Sequence, residues 1–182
     1  MCYGNGQKGV YTMNKRMVDL LAAMVEYDAG DPRRIHHLLK VHDLSVAMGL
    51  LEGMSAEELE VLEAAALVHD IGIHLSEDKH GVSNGKYQQI EGPGEAAKLL
   101  AQLGTFSEEE IQRICYLVGH HHTYTNIDGL DYQILVEADF LVNLYEDQSS
   151  LEAVKSVEEK IFRTATGKKF LQNMYLDPRH SN

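Results

Sequence analysis

From Asn14 to Tyr175 the apolar residues of this chain recur mostly at intervals of three and four. That period stacks them along one face of an α-helix, whereas a half-buried strand needs a period of two. The fold class expected is therefore all-α. A chain of 182 residues with 44% hydrophobic content can bury one sizeable core but not two ordinary ones, so a single-domain helical bundle is expected. No repeat, linker or low-complexity stretch divides it. The expected domain spans residues 13–176, between an N-terminal arm at 1–12 that could fray and a C-terminal tail at 177–182, with Pro178 to His180 loose.

Local signals place the helix ends. Asn14 to Ala29 reads as a first helix, and Asp31-Pro32 opens a second that runs to about Glu52, with Asp able to cap and Pro pre-set for the first turn. Ser55 with Glu58 has the spacing of a capping box ahead of Leu59, Leu62, Ala65, Ala66 and Val68, and this third helix delivers His69 and Asp70. The polar stretch from Gly72 through Gly85 reads as a loop over a site. Pro93 restarts a helix ending near Gly104, and Ser107 with Glu110 opens another toward His120-His121-His122. After a loop at Asn126 to Gly129, residues 131–146 form a helix containing Asp139. Leu151 to Tyr175 forms one or two helices broken near Gly167.

The charge narrows the partners. Sixteen Lys plus Arg against twenty-eight Asp plus Glu give a net charge of -12, which argues against duplex nucleic acid. It would also repel a small anionic substrate unless bound cations reverse the field locally. Cys2 and Cys115 form no disulfide framework, which fits a reducing cytoplasm, and no run resembles a signal peptide or membrane span.

Nine of the ten histidines fall in three clusters: His36, His37 and His42; His69, His74 and His80; and His120 to His122. Imidazole is a common ligand for divalent metals and carboxylates complete such sites. On a helical wheel His36 falls on the polar side, while His37 and His42 both face apolar neighbours and are not separated by periodicity. His69-Asp70 ends an apolar helix just before Gly72; alone, the pair could equally be a helix terminus with a His favoured by the macrodipole. Asp139 sits among Leu135, Val136 and Val142, where a lone carboxylate is costly and needs a cation: a metal, or a base such as Arg34 or Arg113.

The order His37, His69-Asp70, Asp139 resembles the H…HD…D pattern of the HD-domain metal-dependent phosphohydrolase superfamily. The flanks agree. Arg34-Ile35-His36-His37-Leu38-Leu39-Lys40-Val41 resembles its first-ligand helix, which favours His37 over His42. Ala64-Ala65-Ala66-Leu67-Val68-His69-Asp70-Ile71-Gly72 resembles its central motif, and Glu137-Ala138-Asp139-Phe140-Leu141 its last. The resemblance covers roughly residues 31–145 and implies an HD-type bundle holding one or two divalent ions, of Mn, Fe, Co, Ni, Zn or Mg.

Some members add a His and then a His-His pair for a second metal. His120-His121 resembles the pair, but Glu91 stands where the further His is expected, with His80 as a substitute. Ile73 follows Gly72 where several subgroups place a Lys, so phosphate-binding charge would come from Lys79 or Lys86.

The activity expected is hydrolysis of a phosphate ester or anhydride, of a nucleotide or another small phosphorylated metabolite, by attack of metal-bound hydroxide. Asp70 would orient the nucleophile, and His120 or His121 would bind a second metal or the phosphoryl group. Tyr124, Tyr132 and Tyr145 are candidates for stacking a base, with core packing the alternative. A di-iron oxygenase and a non-catalytic metal- or ligand-binding regulatory domain are the competing readings.

Overall fold

The structure is a computed structural model and describes residues 14–177. The arm at 1–12, Cys2 and the tail from Pro178 to His180 lie outside the described residues.

Helix α3 (Ala56–Val68) is the centre of the fold because its C-terminal part, Ala64 to Val68, is apolar all round, and such a segment must be covered on every side. Leu59, Leu62, Ala64, Ala65, Ala66, Leu67 and Val68 are all buried. Helices α1 (Lys15–Tyr27), α2 (Pro32–Leu51), α6 (Glu108–His120) and α7 (Leu130–Glu146) pack around it. The amphipathic α1 shows the pattern simply: Met17, Leu20 and Met24 are buried, three and four residues apart. No strand occurs among the described residues.

The capping signals fold as their chemistry requires. Asn14 and Asp31 accept from the backbone N–H groups of Met17 and Arg34, and both capping boxes, Ser55/Glu58 and Ser107/Glu110, are closed in each direction.

Three segments differ from the sequence reading. The stretch after Gly72 is a helix, α4 (Gly72–His80), ended by Gly81 in the left-handed conformation at φ 73°. It has no side-chain N-cap, and Ser76 donates back to the Gly72 carbonyl, so the usual start signal is missing. Pro93 does not begin a helix. It lies inside α5 (Gly85–Leu103), which is capped at Asn84, and α5 packs along both α4 and α6. A proline in a helix interior costs about 3 kcal/mol; here the packing on two neighbours offsets it.

At the C-terminal end the break falls at residues 161–164, between α8 (Leu151–Lys160) and α9 (Ala165–Leu171), not at Gly167. Buried Glu137 is the cause. Its carboxylate accepts from the backbone N–H groups of Arg163 and Thr164 and from the Thr164 hydroxyl, turning the chain there. Gly167 lies in the first turn of α9 because a Cβ on it would overlap the Glu137 carboxylate. A π-helical turn, Gln172–Leu176, follows.

Candidate metal centre

Four helices deliver five side chains to one place. His37 lies in the second turn of α2, His69 caps the C-terminus of α3 with Asp70 next to it, His121 caps the C-terminus of α6, and Asp139 lies in α7. The Nε2 atom of His37 is 3.2 Å from both His69 Nε2 and Asp139 Oδ1, and 3.7 Å from Asp70 Oδ2. His69 Nε2 is 3.7 Å from Asp70 Oδ2 and from Asp139 Oδ1. Donor atoms held about 2.1 Å from one ion stand about 3.0–3.5 Å apart in octahedral or tetrahedral arrays, so these edges are close to those of a metal-ligand set.

The tautomers give a stricter test. Nδ1 of His69 is 2.8 Å from the Ala66 carbonyl and Nδ1 of His121 is 2.8 Å from the Val118 carbonyl, each three residues back. The two helix C-termini thus use carbonyls that lack intrahelical partners to hold the Nδ1 proton. Glu146 does the same for His37, with Oε2 3.1 Å from Nδ1. With Nδ1 protonated, a neutral ring presents a bare lone pair at Nε2. Two such lone pairs 3.2 Å apart repel unless a cation lies between them. Nε2 of His121 is buried with no hydrogen-bond partner, 3.5 Å from Asp70 Oδ1. The site fits a divalent ion, and outer partners that orient imidazoles in this way are what metal sites use.

Electrostatics agree. Burial alone would raise the carboxyl groups, yet His69 and His121 beside Asp70, and His37 and His69 beside Asp139, hold both well below the usual carboxylate range. Burial works against a charged His69, but Asp70 and Asp139 push it up to about 9. A proton there occupies the role of the cation. Burial and neighbouring His121 pull His122 down to about 4, leaving it a neutral donor-acceptor.

Two sets of side chains have ligand atoms close enough for one ion: His37, His69 and Asp70, and then Asp70, His121 and His122. Asp70 belongs to both, directing Oδ2 toward the first and Oδ1 toward the second. Neither Arg34 nor Arg113 neutralises Asp139: Arg34 pairs with Asp31 and Glu77, and Arg113 with Asp128 and Asp131.

The other candidates lie elsewhere. Glu91 accepts from Lys79 at 2.6 Å and meets His80 at 3.0 Å, tying α4 to α5. His120 stacks on Tyr116 with centroids 4.1 Å apart and directs Nδ1 to the Tyr116 carbonyl. Lys86 is exposed in the first turn of α5. His42 is buried against Glu63, at 3.1 Å.

A cavity of about 320 Å³ opens onto His37 and Asp70, and its cations are Arg33 and Arg34. Three residues of the site escaped the sequence reading. His122 was passed over beside His121; it bonds Gln88 at 2.7 Å. Asn143 donates to Asp139 Oδ1 at 2.8 Å, and Glu146 holds His37. Their signal was present, since 139, 143 and 146 share one face of a helix.

An all-helical bundle that points histidine and aspartate side chains from four helices at one another, beside a cavity lined by two arginines and several carboxylates, is a helical domain able to hold a metal. The family model of the HD domain matches residues 34–162, and the chain belongs to that family. It is also similar to the crystal structure of a protein described as a predicted HD superfamily hydrolase from an uncultured Thermotogales bacterium. The match has a TM-score of 0.62 and 25% identity, covering 87% of this chain and 84% of that one. No curated protein matches the chain. No helix among the described residues is long and apolar enough to cross a membrane.

Proposed function

We propose that the chain is a metal-dependent phosphohydrolase acting on a small phosphorylated molecule. The observation that supports this most is the set of imidazole Nε2 atoms and carboxylates aimed at one point, on the wall of a cavity carrying Arg33 and Arg34. His37, His69, Asp70 and Asp139 would hold the first ion, and Asp70, His121 and His122 a second. An ion held there supplies Lewis acidity, lowering the pKa of a water molecule and stabilising charge on phosphoryl oxygens.

The protein's own groups complete the chemistry. Asp70 is the most exposed of the five converging side chains at 19%, so its carboxylate can accept a hydrogen bond from an attacking water and orient it. His121 faces Asp70 and takes the role of binding a second ion or the phosphoryl group; His120, turned onto Tyr116, is left to pack. Arg33 and Arg34 bind the phosphate as planar, permanently charged donors. Lys79, held by Glu91, is not needed for this.

The test measures phosphate release and metal content together, for chelated protein and protein reloaded with Mn, Fe, Co, Ni, Zn or Mg. Asp70→Ala is expected to lose both bound metal and activity. Retention of both by the folded variant would remove the assignment. The split of Asp70's oxygens between two ligand sets also favours a dinuclear site, the premise of a di-iron oxygenase. Dioxygen consumption by iron-loaded protein, without phosphate release, would select that reading instead.

A further inference from the structure

The cavity beside His37 and Asp70 has an unusual wall for a site that would hold a nucleotide. Ile73 is its one aliphatic residue and His37 its one ring among the described residues. Sites for planar, largely apolar groups are lined mainly by hydrophobic and aromatic side chains, and bases are held by stacking. The tyrosines that could stack a base are placed elsewhere. Tyr132 is buried, with its hydroxyl donated to the His120 and Thr123 carbonyls. Tyr124 packs on Phe140 with centroids 5.1 Å apart and lines a separate cavity with Lys160 and Arg163. Tyr145 lines a groove with Leu141 and Met174.

Charge narrows the choice further. Against Arg33 and Arg34, the wall carries Asp31, Glu77 and Glu146 in addition to Asp70 of the candidate metal centre. Arg34 lies 3.4 Å from Asp31 and 3.6 Å from Glu77, and its Nη1 is buried without a hydrogen-bond partner. One phosphate group matches the two guanidinium groups. Further phosphates of a di- or triphosphate would meet the three carboxylates, where like charges repel. The same carboxylates are acceptors for hydroxyl donors, and Ser83 and Asn143 add polar groups beside them.

We propose that the substrate is a compact phosphomonoester of a polyhydroxylated alcohol, the sugar phosphate class, with Arg33 and Arg34 on the phosphate and Asp31 and Glu77 on the hydroxyls. This rests on the hydrolase reading above. Ser83 donates to Glu77 at 3.0 Å, so that carboxylate is already oriented across the cavity.

The experiment compares phosphate release by the full-length, metal-loaded protein from glycerol 1-phosphate, ribose 5-phosphate and glucose 6-phosphate with release from AMP, ATP and phenyl phosphate. At least one sugar or polyol phosphate is expected to exceed AMP and ATP in kcat/KM by about tenfold or more. Equal or better turnover of AMP or ATP overturns the substrate assignment and leaves the hydrolase reading intact, as does turnover of phenyl phosphate alone. Release from none of the six removes the hydrolase reading and this inference with it.

Two further readouts bear on the hydroxyl contacts. The Glu77→Gln variant is expected to lower the ratio of kcat/KM for the best polyol phosphate to that for phenyl phosphate by about tenfold; an unchanged ratio counts against the placement. A non-hydrolysable polyol phosphonate should raise the melting temperature more than a nucleoside phosphonate, and the reverse order overturns the assignment.

Discussion

Gly72, two residues beyond Asp70, crosses Gly92 so closely that a Cβ on Gly72 would stand 2.7 Å from the Gly92 nitrogen and 2.8 Å from the Gln88 carbonyl oxygen. The obstacle is backbone on a helix packed against two others, so no side-chain rotation relieves it. Gly72→Ala should cost about 1–3 kcal/mol in urea unfolding, the range for overpacking a filled core. It should also weaken metal binding in the protein that remains folded, because α4 begins where Asp70 ends. Gly92→Ala meets the Val118 side chain at 2.8 Å, with the Gly72 backbone at an ordinary contact distance of 3.7 Å, and should be milder. Equal stability of Gly72→Ala and wild type would argue against so close a crossing.

Chelated protein should lose stability on the alkaline side. The His69 pKa, about 9 when folded, lies above the unfolded value of about 6.5, so its stabilisation is complete below that value and is lost as pH rises through 9. What remains is Asp70 and Asp139 without a cation between them. The loss is expected to reach on the order of 2–3 kcal/mol. A divalent ion replaces the proton, so reloaded protein should lose clearly less stability than chelated protein between pH 7 and 9, the contribution of His69 being removed and that of His42 remaining. Metal affinity should climb with pH over the same span as the competing proton leaves. A parallel decline with and without metal would argue that the ion does not enter beside His69.

Which parts of this could be read without the fold follows from how local their causes are. Helix starts at Asn14, Asp31, Ser55 and Ser107 are set by a side chain bonding a backbone N–H within three residues, and each was legible. Helix α4 carries no such start, and α5 runs through Pro93 because its neighbours outweigh a local rule. Apolar faces turn both His37 and His42 inward and do not choose between them; the resemblance to the H…HD…D pattern is what singles out His37, His69, Asp70 and Asp139 together. Among His120, His121 and His122, successive side chains turn by about 100°, so which one faces inward depends on where α6 ends to within one residue. Sequence does not define a helix end that finely. The type of Glu91 suits a metal ligand, whereas Lys79 and His80, brought back by α4, which has no start signal in the sequence, pair with it instead.

Glu137 tests the C-terminal part of the fold. Its carboxylate accepts from the Gln133 side chain, two backbone N–H groups and the Thr164 hydroxyl, all around the junction of α8 and α9. Glu137→Ala leaves the donors at Arg163 and Thr164 without partners, at about 1–3 kcal/mol for each group that stays buried. A total loss of several kcal/mol, with amide exchange accelerated first in residues 161–171, is the expected outcome. Because Glu137 precedes Asp139 by two residues on α7, its side chain faces away from the converging histidines and aspartates. Metal stoichiometry should survive at temperatures where the variant is folded. Uniform exchange across the molecule would mean that this junction is not a separately held unit.

His42 and Glu63 provide a pH signature independent of the metal. Both are buried, 3.1 Å apart between α2 and α3. Burial opposes the imidazolium, but hydrogen bonds to Glu63 and Asp43 outweigh it and raise the His42 pKa above its ordinary value. A raised folded-state value stabilises fully below the unfolded pKa of about 6.5 and fades as pH rises through the folded one. In metal-loaded protein, where His69 no longer contributes, Glu63→Gln should therefore cost most near pH 6 and progressively less at higher pH. The glutamine keeps the size of the side chain, so a pH-independent cost would point to altered packing alone. A cost that grew with pH would reverse the sign and show that the pair is buried with His42 neutral.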